Sequence, residues 1–393
     1  MSKILILMSE TGGGHRASAE AIRDAFRERY GAQFQVDMVD LWSQHTPPPI
    51  NQVPKTYRFL VDDVPWLYKF IYEIGEKAEL IDPLMKVTAT FLSPFIKRTI
   101  EEYHPDLIVS VHPLMQQITL EVLLRMKGAI PFVTVVTDLI TIPPVWFDPR
   151  VTLCFVPSDE GYVLARRAGL EPHQLRQLGL PIRPAFAQTP PPKSLVRQQL
   201  GLMPEVKAVL IAGGGEGMGP VGEIARAVAQ RLAVNGQGAR SPAGQLVVIC
   251  GRNQELQREL SAWDWPVPAI IKGFVENIWD WMMACDCIIT KAGPGTIAEA
   301  CALGLPILLS GYIPGQESGN VPYVLKHGIG IYVTEPWQIA EVIAGWFGPQ
   351  QDIMEQVAAN ARKLGHPQAT FQIVEEIARL LSSNKSDSTS AIT

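Results

Sequence analysis

Cysteine is scarce in this chain: five in 393 residues, an odd number without the spacing of a disulfide framework. That excludes the small oxidised scaffolds of secreted proteins and points to a reducing compartment. Cys285 and Cys287 stand one residue apart with no His or Cys pair nearby, so core packing explains them better than a metal does. No stretch offers the roughly 20 uninterrupted apolar residues of a transmembrane helix. No basic leader with a cleavage site precedes the apolar run Ile4 to Met8. A soluble or membrane-peripheral protein is expected. A basic excess is also missing: net charge is -5 and neither half is markedly basic, so nucleic acid is not an expected partner. What the chain does have is length and a 47% apolar content, enough for two α/β domains with a core each.

Short apolar runs alternate with helical segments along the whole chain, the pattern of doubly wound parallel sheets. Strands are expected at Lys3 to Met8, Val36 to Leu41, Asp106 to His112, Pro131 to Val136 and Val151 to Val156. A second set is expected at Lys207 to Ala212, Gln245 to Cys250, Ala269 to Gly273, Cys287 to Thr290 and Pro306 to Ser310. Between the sets lies the proline-rich segment Gly179 to Lys193, the best linker in the chain. The boundaries expected are 1–185 for an N-terminal domain, 186–381 for a C-terminal domain, and a disordered polar tail over 382–393.

The most informative stretch is Ile288 to Ala300, a buried strand running through Lys291-Ala292-Gly293-Pro294-Gly295-Thr296 into a helix. Such a turn leaves backbone N–H groups unpaired at a helix N-terminus, where they and the helix dipole can hold a phosphate or diphosphate. Glu299 follows one turn later, placed to accept from sugar hydroxyls. An ordinary strand-to-helix connection would read the same way on this stretch alone. Downstream, Gln316, Glu317 and Asn320 sit in a Gly/Pro-punctuated loop, an amide, a carboxylate and a second amide of the kind that grips polyols. Together the two stretches read as the donor site of a nucleotide-sugar enzyme.

In the N-terminal half, the first strand ends in Ser9-Glu10-Thr11-Gly12-Gly13-Gly14-His15. It lacks the ending of a P-loop and the spacing of a dinucleotide fingerprint. Gly13 and Gly14 bring backbone amides to the ligand end of the sheet, and His15 stands at the helix start. It either packs there or takes a proton from an alcohol, for which a near-neutral pKa suits it. His112 and Asp138 follow the ends of later strands and are candidates for the same crevice. The insert from Trp42 to about Phe95 mixes Tyr57, Trp66, Tyr68 and Phe70 with Lys55, Arg58 and Lys69. It reads either as helices packed on the core or as an interfacial segment with rings at headgroup level.

Seven segments in order resemble one family: GGGHRASAEAI (Gly12 to Ile22), SVHPLMQ (Ser110 to Gln116), VVTDL (Val135 to Leu139), GGGEGMGP (Gly213 to Pro220), CGRN (Cys250 to Asn253), KAGPGTIAEA (Lys291 to Ala300) and PGQESGNVPYV (Pro314 to Val324). The chain resembles monogalactosyldiacylglycerol synthases and processive diacylglycerol glucosyltransferases, and more distantly the lipid II glucosaminyltransferase. The resemblance implies a GT-B fold, two Rossmann-like domains facing a cleft, and an inverting transfer without metal or other cofactor from a UDP-hexose to the free hydroxyl of diacylglycerol. It implies Phe274 and Val275 by the uracil, Glu299 on the ribose, and Gly293, Gly295 and Thr296 facing the diphosphate. Gln316 and Glu317 would hold the sugar hydroxyls, and Gly215 to Met218, Glu216 among them, would line the cleft floor.

The same resemblance implies peripheral attachment to the cytoplasmic face of the cell membrane, with anionic phospholipids as further partners. His15 is the expected base, with Asp138 its rival or orienting partner. In one respect the chain departs from the family: histidines commonly follow the Thr-Asp-Leu stretch, but Ile142 to Asp148 contains none. No base is carried over to that loop. Galactose is preferred over glucose because SVHPLMQ looks closer to the galactosyl branch; a UDP-sugar epimerase and a non-catalytic lipid-binding protein stay open as alternatives.

Overall fold

The computed structural model describes residues 1–9, 13–52, 64, 78–126, 130–235 and 242–390. The chain divides into two compact units, the first made of Met1–Pro184, Pro314–Gln316 and Gln368–Thr393, the second of Ala185–Ile313 and Glu317–Pro367.

The first unit is built on six parallel strands, β1 (Ser2–Met8), β2 (Phe34–Asp40), β3 (Leu107–Ser110), β4 (Phe132–Val135), β5 (Leu153–Val156) and β6 (Leu175–Gln177), in the order β2-β1-β3-β4-β5-β6. Strand side chains alternate between faces, and both faces of this sheet are covered. Leu5, Leu7 and Ile108 enter one core with Leu92, Ile96 and Ile100 of the helix Ala78–Tyr103 and Ile118 of the helix Gln116–Arg125. Ile4, Ile6 and Val109 point the other way, onto Ala19, Ile22 and Phe26 of the helix Gly14–Tyr30. Trp42, in the short helix Leu41–His45, is buried in the first of these cores. Tyr57, Trp66, Tyr68 and Phe70 lie outside the described residues.

The last helix, Ala369–Ser390, differs from expectation twice. It belongs to the first unit, not the C-terminal domain, because Ile373, Val374, Ile377 and Leu381, spaced three and four apart, fill the core beside Ile22 and Phe26. Glu375 pairs with Arg29 at 2.7 Å and Glu376 with Arg176 at 3.0 Å on its flanks. It also runs through most of the stretch expected to be a disordered tail; Ser382 to Ser390 contains neither Gly nor Pro to stop it.

The second unit repeats the plan with β7 (Ala208–Ala212), β8 (Gln245–Ile249), β9 (Ala269–Lys272), β10 (Cys287–Lys291), β11 (Ile307–Gly311) and β12 (Gly330–Tyr332), in the order β12-β11-β10-β7-β8-β9. Val209, Ile211, Val248 and Ile289 pack with Ile224 and Val228 of the helix Val221–Asn235 and Ile339 and Ile343 of the helix Pro336–Phe347. At the N-terminal end of this sheet Asp286 accepts from the Ala208 N–H at 2.7 Å and pairs with Arg197 at 2.5 Å. Arg197 also donates to the carbonyls of Ala284 and Pro204, at 2.8 and 3.0 Å. That end is an anchor, which leaves the opposite, C-terminal end for ligands.

Candidate active site

In the first unit β1 pairs with β2 on one side and β3 on the other. The helices that follow β1 and β3 pack on opposite faces, so the strand ends open a crevice between them. His15 enters it in the first turn of its helix, after Gly13 turns the chain at φ 74°. Its Nδ1 lies 2.8 Å from the Val111 carbonyl oxygen and 2.9 Å from Thr137 Oγ1. A carbonyl only accepts, so Nδ1 carries the hydrogen and Nε2 keeps its lone pair. Burial pushes the imidazole pKa down to about 4, partly opposed by the Val111 bond, so the ring is neutral at physiological pH.

His112 packs against it with ring centroids 4.4 Å apart. The Leu114 N–H donates to its Nδ1 at 3.2 Å, which puts the His112 hydrogen on Nε2. Burial, and then the neighbouring His15, hold its pKa well below the usual histidine value. A buried trio underneath fixes this corner: Thr134 donates to Gln116 Oε1 at 2.7 Å, Gln116 to Ser110 Oγ at 3.0 Å, and Ser110 to the His112 carbonyl at 3.2 Å. Asp138 is buried nearby, and its Oδ2 accepts from the Trp146 indole N–H at 2.7 Å. Trp146 is fully buried with its ring 6.3 Å from that of His15. His15 is therefore oriented by Val111 and Thr137, while Asp138 anchors Trp146. Sequence reasoning missed Thr137 and Trp146; Thr137 directly precedes Asp138, and Trp146 stands in the loop singled out for its lack of histidine.

In the second unit the crevice lies where β7 is flanked by β8 and β10. The glycine loop after β7 and the loop after β8 interlock: a Cβ at Gly217, which has φ +68°, would stand 2.0 Å from the Cys250 carbonyl oxygen. From this pair of loops Arg252 forms an ion pair with Glu216 at 2.6 Å and lies 4.7 Å over the ring of Phe274. Phe274 is 51% exposed, so the ring is held in place yet open to a ligand, and Val275 beside it is half-buried. Gly215 is exposed at the tip of the same loop.

After β10 the helix Pro294–Leu303 begins at Gly293 with no side-chain cap, Gly295 exposed and Thr296 half-buried. Its first N–H groups and its dipole make a seat for an anion. Glu299 is buried one turn on. Glu317 is 3% exposed and forms an ion pair through Oε1 with Lys291, while its Oε2 accepts from the Ile313 N–H at 2.9 Å. Each oxygen keeps one further accepting site for a hydroxyl. Asn320 is 1% exposed and donates to the Ala292 carbonyl at 2.8 Å, so it braces the Gly293 turn from below. Gln316 is half-buried and groups with the first unit. Lys291 was not singled out by sequence reasoning, although it stands two residues before Gly293. Among the described residues no three His, Cys, Asp or Glu side chains cluster to hold a metal.

A buried neutral imidazole in one unit, and an uncapped helix N-terminus and a half-open ring in the other, are parts that a group-transfer enzyme can use. The fold is shared by solved structures of different activity: MurG of Acinetobacter baumannii matches 96% of this chain and 100% of its own at a TM-score of 0.58 and 15% identity. UDP-GlcNAc 2-epimerase of Neisseria meningitidis matches 96% and 100% at 0.56 and 15%. These place the chain in the GT-B fold and leave the reaction open. The sequence comparisons go further. The family model for monogalactosyldiacylglycerol (MGDG) synthase matches residues 15–182, and that for the glycosyltransferase family 28 C-terminal domain matches residues 208–336. The chloroplastic monogalactosyldiacylglycerol synthase of Spinacia oleracea is 49% identical over 382 residues, 96% of this chain and 72% of that protein. The chain belongs to the monogalactosyldiacylglycerol synthase family of glycosyltransferases.

Proposed function

We propose that this chain moves galactose from UDP-galactose to the free hydroxyl of 1,2-diacylglycerol, with inversion at the sugar carbon. The observation that carries the reading is the 49% identity to a synthase of that product across 96% of the chain, both units included. His15 Nε2, with its lone pair outward from the Val111 bond, takes the hydroxyl proton as the new bond forms. UDP departs with its developing charge against the first turn of the helix Pro294–Leu303. The uracil stacks on the open ring of Phe274, and Glu317 accepts from sugar hydroxyls through the lone pairs left to it.

Diacylglycerol is taken from a membrane surface; no helix of the described residues is long and apolar enough to cross a membrane. Val87, Phe91 and Phe95 form an exposed stripe on the helix Ala78–Tyr103, with exposed Leu124 on a neighbouring helix and Arg98 and Arg125 also exposed. Apolar side chains with cationic neighbours suit the headgroup region of a bilayer containing anionic lipid. The cytoplasmic face of the cell membrane is the side we assign.

The test is product analysis after the purified protein meets diacylglycerol vesicles with UDP-galactose or UDP-glucose, chelator present. A monogalactosyl lipid is expected from the first donor. A product from UDP-glucose alone would reassign the sugar, and none from either by a folded, UDP-binding protein would remove diacylglycerol as the acceptor.

A further inference from the structure

Lys291 occupies an unusual place. The pairing of β10 with β11 slips between Thr290 and Lys291, so that Thr290 faces Leu309 but Lys291 faces Gly311. Such a bulge re-aims the side chain that follows it. The re-aimed side chain crosses the crevice between β10 and β7 and passes two glycine turns. A Cβ at Gly214 would lie 3.3 Å from its Cε, and one at Gly293 would lie 3.1 Å from its Nζ. The point that a Gly293 Cβ would occupy is also 3.7 Å from Glu317 Oε1 and 3.9 Å from Thr296 Oγ1. Two turns without side chains therefore keep the space at the ammonium clear, beside the first turn of the anion-seating helix.

The ion pair with Glu317 does not account for this arrangement. The Glu317 side chain is 3% exposed and that of Lys291 23%, so the lysine is the more open partner of the pair. Glu317 engages one of three N–H donors. Its other oxygen is fixed by the Ile313 N–H at 2.9 Å, which holds the carboxylate, and through it the ammonium, in place.

We propose that Lys291 is a catalytic residue that donates to the diphosphate of the donor and stabilises UDP as it leaves, the charge that a divalent cation supplies in metal-dependent transferases. The inference rests on the UDP-galactose reading above. In the step, the bond between the sugar C1 and the β-phosphate oxygen breaks with its electron pair going to that oxygen. The acceptor oxygen bonds to C1, and its proton passes to His15 Nε2. UDP gains one negative charge, and Lys291 stands where that charge develops. A preorganised ammonium costs no reorganisation at that moment, because Glu317 already holds it.

The experiment compares UDP, UMP and uridine binding by calorimetry in the unaltered chain, in Lys291→Ala and in Lys291→Arg, with initial rates of galactolipid formation. Because Lys291→Ala leaves Glu317 buried without its cation and costs stability, the double variant Lys291→Met/Glu317→Gln provides a neutral pair of similar shape. The preference for UDP over UMP should fall about 10- to 100-fold, the cost of one charge-assisted hydrogen bond. Uridine affinity should stay within about twofold, and Lys291→Arg should recover part of the UDP preference. An unchanged UDP-to-UMP ratio in a folded Lys291→Ala or double variant overturns the inference alone. Absence of UDP binding by the unaltered chain overturns the donor reading and this inference with it.

Discussion

Burial of a neutral His15 makes a measurable demand on pH. Its pKa falls from 6.5 to about 4 in the folded chain. The sign follows from proton counting: between these values the unfolded chain binds a proton at His15 and the folded one does not, so folding weakens as pH falls from 6.5 towards 4. The His15 contribution to stability is fully present above pH 6.5 and lost once pH is below about 4. A shift of this size corresponds to about 3 kcal/mol. The variant His15→Gln lacks the titration, so the difference in unfolding free energy between the two chains should change by about 2.4 kcal/mol between pH 7 and pH 4.5. Denaturant titration at a series of pH values, read from the far-UV signal, measures it. The same shift sets the rate profile: at pH 5 about 90% of His15 stays in the base form, against about 3% for an unshifted imidazole. Turnover should therefore hold nearly flat down to pH 5. Parallel pH dependence of the two chains, or an acid limb centred near 6.5, would refute the account of a buried neutral base.

Three further outcomes are expected. Gly217→Ala would drive a Cβ into the Cys250 carbonyl at a positive φ, so UDP affinity should drop more than about tenfold in calorimetry as the interlocked loops shift. Val87→Asp with Phe91→Asp should leave the melting temperature within about 2 °C, these side chains being 69% and 58% exposed, but should release the protein from anionic vesicles in a sedimentation assay. Arg197→Met should lower stability by about 1–3 kcal/mol in denaturant melts, because the carbonyls of Ala284 and Pro204 lose their donor while Asp286 keeps Lys193 at 2.9 Å; UDP affinity of the folded fraction should be unchanged, since that cluster lies at the far end of the strands.

The sheet plan was readable because strands such as Ile4 to Leu7 and Ile288 to Ile289, buried on both faces, are continuous apolar runs. β6 and β12, three residues each, carry too short a pattern to register. Which unit the last helix covers is decided by Ile22 and Phe26, more than 300 residues away, and no local pattern encodes that. The site divides in the same way. Glycine turns and strand-end polar residues marked both crevices, since topology alone places them there. The tautomer of His15 depends on a carbonyl 96 residues distant, and the pairing of Lys291 with Glu317 spans 26 residues and a bulge.

The return of the last helix to the first unit bears on biosynthesis. A ribosome delivers β1 and the helix Gly14–Tyr30 well before the last helix, yet Ala19, Ile22 and Phe26 are sealed only when Ile373, Val374 and Ile377 emerge. The nascent N-terminal unit therefore carries an unsealed apolar groove throughout elongation, a natural target for holdase chaperones. A ribosome stalled within the second unit would release a product whose first sheet is assembled but uncapped, and quality-control proteases would find it by that groove.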